Sequence, residues 1–117
     1  MLIQVITDNH IEGSDGLARH VESTITDSLE RYGERITRVE VHFSDQNSSS
    51  KSGDNDKLCA IEARLAGLQP VNVSHRAESI DQALDAAAEK LERVLERILG
   101  KLEDRNGRMS YGGDQTI

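Results

Sequence analysis

Residues 79–104 read SIDQALDAAAEKLERVLERILGKLED, and their periodicity decides the architecture around them. Ile80, Leu84, Ala87, Leu91, Val94, Leu95, Ile98 and Leu102 recur about once per helical turn. That spacing lines one face of a helix. Ser79 and Gln82 have the spacing of a capping box: the serine hydroxyl can accept an early amide and the glutamine can reach back. Gly100 costs about 1 kcal/mol against alanine inside a helix. Leu102 keeps the period, so the helix is expected to cross Gly100 and fray after Leu102. Drawn from Ser79 to Asp104 it would be about 39 Å long.

A single apolar helix face must be covered, and the residues upstream supply strands. In Val39, Val41 and Phe43 alternating with Arg38, Glu40 and His42, one side is apolar and the other polar. Cys59, Ile61, Ala63 and Leu65 alternate with Glu62 and Arg64 in the same way. Gly67 marks a turn, and Pro70 opens a further strand in which Val71 and Val73 alternate with Asn72 and Ser74. The segment DQNSSSKSGDND between the first two of these strands holds no apolar residue and reads as a mobile loop.

At the N-terminus, Leu2–Thr7 (LIQVIT) reads as a short buried strand. A first helix follows, with Leu17, Val21, Ile25, Leu29 and Tyr32 on a narrow apolar face, Ser14 as N-cap and Gly33 as stop. The order is β-α-β-β-β-α. The economical packing is an α+β two-layer sandwich, a four-stranded sheet with both helices on one face. Residues 1–104 form one domain in this reading, and RNGRMSYGGDQTI (105–117) is a flexible tail.

Charge is sorted on the long helix. Lys90, Arg93, Arg97 and Lys101 fall to one side of the apolar stripe, and Arg105 and Arg108 continue the same steps. Asp81, Asp85, Glu92, Glu96 and Glu103 fall to the other. The chain as a whole is acidic, with net charge -7, so the cations are not background. A solvated helix face laced with pairs such as Glu89–Arg93 accounts for the composition. The separation of Glu92 and Glu96 from the cations favours a polyanion site, since a phosphate backbone would meet a cationic ridge.

Other chemistry finds little support. Aromatic residues make up 3% of the chain and Trp is absent, which argues against a platform for stacked single-stranded bases. His10, His20, His42 and His75 lie in different elements, with no ligand spacing between any two, and there is no CxxC. Asp54 and Asp56 lack the glycine and closing glutamate of a calcium loop. Gly13–Gly16 lacks the Lys-Ser/Thr ending of a phosphate loop. The single Cys59 cannot form an internal disulfide and reads as a small core residue in a reducing compartment. No apolar run approaches a membrane span, and the N-terminus lacks the pattern of a signal peptide. The expectation is a cytoplasmic, non-enzymatic protein without catalytic residues, metal, cofactor, membrane contact or small-molecule substrate.

The six-element order, with LARHVESTITDSLERY in the first helix, RVEVHFSD in the second strand and ESIDQALDAAAEKLERVLER in the second helix, resembles the ribosome hibernation-promoting factors. That family includes the ribosome-associated inhibitor A and the sigma-factor modulation proteins. The resemblance covers about residues 2–103, and Lys90-Leu91-Glu92-Arg93 is its most specific run. It implies a translation regulator that sits between head and body of the small ribosomal subunit under stress or in resting cells. There it blocks the messenger and transfer RNA channel. It also implies that Lys90, Arg93 and Arg97 touch ribosomal RNA phosphates, with Arg76 a weaker match. Lys101 belongs to the charge stripe and not to the family's motif. The long family form carries a second domain that pairs ribosomes, and this chain resembles the short form. The alternative is a diverged acidic member that binds a protein or weakly self-associates through a strand edge.

Overall fold

The computed structural model describes residues 1–8, 15–45 and 57–100, with 101–111 described as helical backbone. Strand β1 (Leu2–Thr7) leads to helix α1 (Asp15–Leu29). Strands β2 (Ile36–Asp45), β3 (Lys57–Leu65) and β4 (Val71–Ala77) follow, and helix α2 (Ile80–Tyr111) closes the order. The fold is α+β, as the periodicities predict. The strands lie side by side in chain order. β1 runs parallel to β2, while β2–β3 and β3–β4 are antiparallel. A parallel pair needs a long crossover, and α1 supplies it.

Both helices cover one face. The alternation in β2 and β3 buries Val39, Val41, Phe43, Cys59, Ile61, Ala63 and Leu65. Against them pack Val21, Ile25 and Leu29 of α1 and Leu84, Leu91, Leu95 and Leu99 of α2. Arg38, Glu40, His42, Glu62 and Arg64 fall on the opposite, open face. The strand register sets Arg38 beside Arg64 and Glu40 beside Glu62. Among the described residues no charged side chain is buried, so every described charge can act at the surface.

Four local expectations change. β1 is an edge strand and is not enclosed: Leu2 is 61% exposed, because nothing covers the open face of the sheet beneath it. α1 does not stop at Gly33. Its α-helical part ends at Leu29, and a 3-10 segment over Glu30–Arg35 carries the chain through Gly33. That tighter turn buries Tyr32 and leaves the Arg31 guanidinium 4.8 Å from the ring centroid. In α2 the inward residue of the last described turn is Leu99, 1% exposed, while Ile98 is only partly buried. A 3.6-residue repeat drifts, and Leu99 lies one turn beyond Leu95. α2 runs through Gly100, as the period predicts, and its helical backbone continues past Leu102 to Tyr111. Its backbone takes in residues 105–111, assigned above to a tail. At Gly100 a Cβ would meet open space, so the glycine answers no steric demand.

Gly67, at φ +76°, occupies the left-handed region of the β3–β4 turn, where a side chain would be strained. Ser14, His10, residues 46–56 with Asp54 and Asp56, and residues 112–117 lie outside the described residues.

Candidate functional site

The start of α2 is set by its cap. The Ser79 hydroxyl accepts the Gln82 amide at 3.2 Å, and the Ser79 carbonyl accepts the Ala83 amide at 3.0 Å. This satisfies donors that a helix start otherwise leaves unpaired. The cap fixes the phase of everything that follows. With Leu84, Leu91 and Leu95 turned into the core, the two charged flanks of the wheel have only one orientation available.

The basic flank faces β4. Lys90, Arg93 and Arg97 are all exposed, yet they stand in three different states. The Lys90 ammonium donates to the Ser74 carbonyl of β4 at 2.8 Å. That bond holds a long, flexible side chain while leaving the full positive charge at the surface. Arg93 lies 3.7 Å from Glu89, one turn back. Such an exposed pair contributes only about 0.3–0.5 kcal/mol, so Arg93 can exchange its partner readily. Arg97 has no ion-pair or hydrogen-bond partner among the described residues. Lys101, Arg105 and Arg108 lie on the helical backbone beyond, and their side chains lie outside the described residues.

Arg76 is placed differently. Along β4, Val71, Val73, His75 and Ala77 turn to the helix layer, while Asn72, Ser74 and Arg76 are exposed on the open face. Arg76 therefore stands across the β4 edge from the ridge. The structure brings Lys90, Arg93 and Arg97 together and sets Arg76 around the corner. The Ser74 carbonyl is the partner that sequence reasoning missed. A main-chain acceptor leaves no mark in residue type, and only the packing of α2 on β4 reveals it.

The acidic flank faces α1. Asp81 lies 3.5 Å from His20, and Glu96 lies 3.9 Å from Arg31. Between the helices runs a shallow groove of about 500 Å³ lined by Thr24, Ser28, Gln82, Asp85, Glu89 and Glu92. On the open face Glu40 pairs with Arg38 at 2.8 Å and lies 3.6 Å from His42. Arg38 also donates to the Gln4 side chain. His20 and His42 thus each neighbour a single carboxylate. Among the described residues no group of three or more His, Cys, Asp or Glu could hold a metal ion. Cys59 is fully enclosed, and desolvation pushes its thiol up to about 12. It is an inert core thiol and not a nucleophile. Among the described residues no helix is long and apolar enough to cross a membrane.

Residues 4–103 match the model of the family described as sigma 54 modulation protein / S30EA ribosomal protein. The chain belongs to this family. The match takes in β1 through the charged stretch of α2, so the ridge lies within the family's domain. The fold agrees with that of two solved structures. One is the N-terminal domain of Thermus thermophilus Protein Y, with TM-score 0.67 and 23% identity over 84% of this chain and 99% of that one. The other is a ribosomal subunit interface protein from Coxiella burnetii, with TM-score 0.66 and 17% identity over 86% of this chain and 99% of that one. No curated protein sequence matches the chain. The resemblance drawn above from six elements in order is thus a family membership.

Proposed function

We propose that this S30EA-family chain is a non-enzymatic translation regulator that binds the small ribosomal subunit through ribosomal RNA phosphates. In this reading it occupies the messenger and transfer RNA channel and lowers translation in stressed or resting cells. The observation that carries the reading is the ridge of Lys90, Arg93 and Arg97. It is segregated from the acids of α2 and anchored at one end by the Ser74 carbonyl. The name of one structural neighbour points the same way, since it is called a ribosomal subunit interface protein.

Each cation has a role. Lys90 is held in place before binding, so little side-chain freedom remains to be lost. Arg97 offers an uncommitted guanidinium, which can take a phosphate through two parallel bonds. Arg93 trades Glu89 for a phosphate oxygen. Lys101 extends the ridge by one more turn, and Arg76 reaches RNA that passes around the β4 edge. Acids on the other flank are turned to α1 and keep their repulsion away from the bound backbone. The domain spans residues 1–104 in this reading.

Co-sedimentation with purified small subunits tests it, at low and moderate salt. Wild-type chain is expected in the ribosomal pellet at low salt and less so at moderate salt. The combined Lys90→Glu, Arg93→Glu, Arg97→Glu variant is expected in the supernatant. Equal pelleting of both chains, or none of the wild type, refutes the reading.

A further inference from the structure

The sheet ends in two edges, β1 and β4, and the basic ridge overlooks the second. An open edge presents unpaired amides and carbonyls, a ready template for another strand. Because the Ser74 carbonyl accepts Lys90, Ser74 turns its main chain away from β3. Antiparallel pairing alternates inward and outward residues, so Asn72 and Arg76 turn outward too. β4 itself holds no proline and no bulge that would twist the edge away. Pro70 stands just before the strand, and no register shift interrupts its pairing with β3. Its helix-side positions are Val71, Val73, His75 and Ala77. What stands over this edge is the Lys90 ammonium.

We propose that the β4 edge is a docking site for an extended acidic segment of a protein partner, which adds to the sheet as a fifth strand. The charge of the occupant follows from Lys90. A strand that pairs with Asn72–Arg76 takes the Ser74 carbonyl for its own amide and displaces the ammonium. A neutral strand leaves that ammonium without an acceptor. A strand bearing carboxylates supplies one, replacing a bond to a neutral carbonyl with a salt-bridged hydrogen bond. Side chains of an added strand alternate between the two sides of the sheet. Those on the helix side meet Lys90, Arg93 and Arg97, and those on the open side meet Arg76. Half-buried Val73 and Val94 offer apolar contact between the charges. A second copy of this chain is the wrong occupant, because β4 pairing with β4 would bring two basic ridges together, and like charges across an interface oppose binding.

A phosphate backbone uses only the cations, whereas a strand also needs the Ser74 amide and carbonyl. One variant separates them. Ser74→Pro removes an outward amide that the β3–β4 ladder does not use, a position where proline is tolerated on an edge, and it keeps every cation.

A fluorescent ten-residue peptide alternating glutamate with valine is titrated into wild type, Ser74→Pro and Lys90→Gln. The same peptide, N-methylated at alternate residues, is titrated into wild type. Saturable binding to wild type is expected. Ser74→Pro, Lys90→Gln and the N-methylated peptide are each expected to weaken it at least about tenfold, roughly the worth of one hydrogen bond to a charged group. Inorganic polyphosphate is expected to bind wild type and Ser74→Pro alike. The N-methylated arm uses the wild-type chain and decides the matter even if Ser74→Pro does not fold. Equal binding of the two peptides would show attraction by charge alone and overturn the proposal. So would the absence of peptide binding, or a wild-type dimer in sedimentation that Ser74→Pro dissolves. The proposal does not rest on the ribosomal reading, and either can fail without the other.

Discussion

On the α1 side of α2, Asp81 lies 3.5 Å from His20 and Glu96 lies 3.9 Å from Arg31. On the β4 side, Arg97 has no partner among the described residues, and Lys90 is tied to a main-chain carbonyl that cannot neutralise it. One helix thus carries two charged flanks with opposite consequences. Asp81 and Glu96 meet basic groups on α1 and the 3-10 segment after it, while Lys90 meets only a carbonyl at the edge of the sheet. Similar sorting of charge therefore yields a flank that is partly satisfied within the fold and one that is available to an outside polyanion. Local environment, more than charge count, separates the two.

The two flanks lose their difference most completely when the core that phases both is removed. Leu91 is fully buried beneath them, and Leu91→Ala is expected to cost about 2–5 kcal/mol, read as a lower midpoint in denaturant unfolding. The same core holds Cys59. Its thiol is raised from 9.0 to about 12 in the fold, so the folded chain keeps a proton that the unfolded chain releases first. Stability from this group is full below about pH 9 and falls as pH rises through about 12. Unfolding midpoints measured across that range are expected to fall less in Cys59→Ala than in wild type.

The flanks themselves come next. Reversing Lys90, Arg93 and Arg97 together is expected to flatten the salt dependence of small-subunit binding. Three phosphate contacts correspond to a loss of about 2 in the slope of log affinity against log salt. Reversing Asp85 and Glu92 on the other flank is expected to leave binding undiminished. If both reversals weaken binding alike, the flanks do not differ in function. At the small end, Glu89→Gln frees Arg93. Polyanion binding should tighten about twofold, in line with the few tenths of a kcal/mol of an exposed pair, and thermal stability should change within about 0.5 kcal/mol.

Much of this was legible in residue order. Strict alternation in Val39–Phe43 and Cys59–Leu65 showed both strands and the face each buries, because a strand repeats every two residues and one covered face demands apolar alternation. The Ser79 cap and the stripe after it located α2. Glu89–Arg93 could be read at helical spacing and is present at 3.7 Å. Less legible was the exposure of Leu2. A short apolar run looks the same whether one sheet face or both are covered, and only the packing of both helices on one face shows that Leu2 is left open. Leu99 escaped the stripe because Ile98 and Leu99 lie three and four residues after Leu95 and are both apolar, so spacing does not choose between them. The 3-10 segment escaped because Gly33 is equally consistent with a stop.

The order of elements, their inward faces and the separation of cations from acids on α2 all follow from residue spacing along one chain. Tertiary structure alone decided which neighbour each flank meets. α2 lies with its acids toward α1 and its cations toward β4, and that places the Lys90 ammonium on the Ser74 carbonyl and Arg76 across the edge. Such contacts join residues far apart in sequence, and one partner is a main-chain oxygen that every residue carries. No residue type encodes them, so they exist only once the helix has been laid on the sheet.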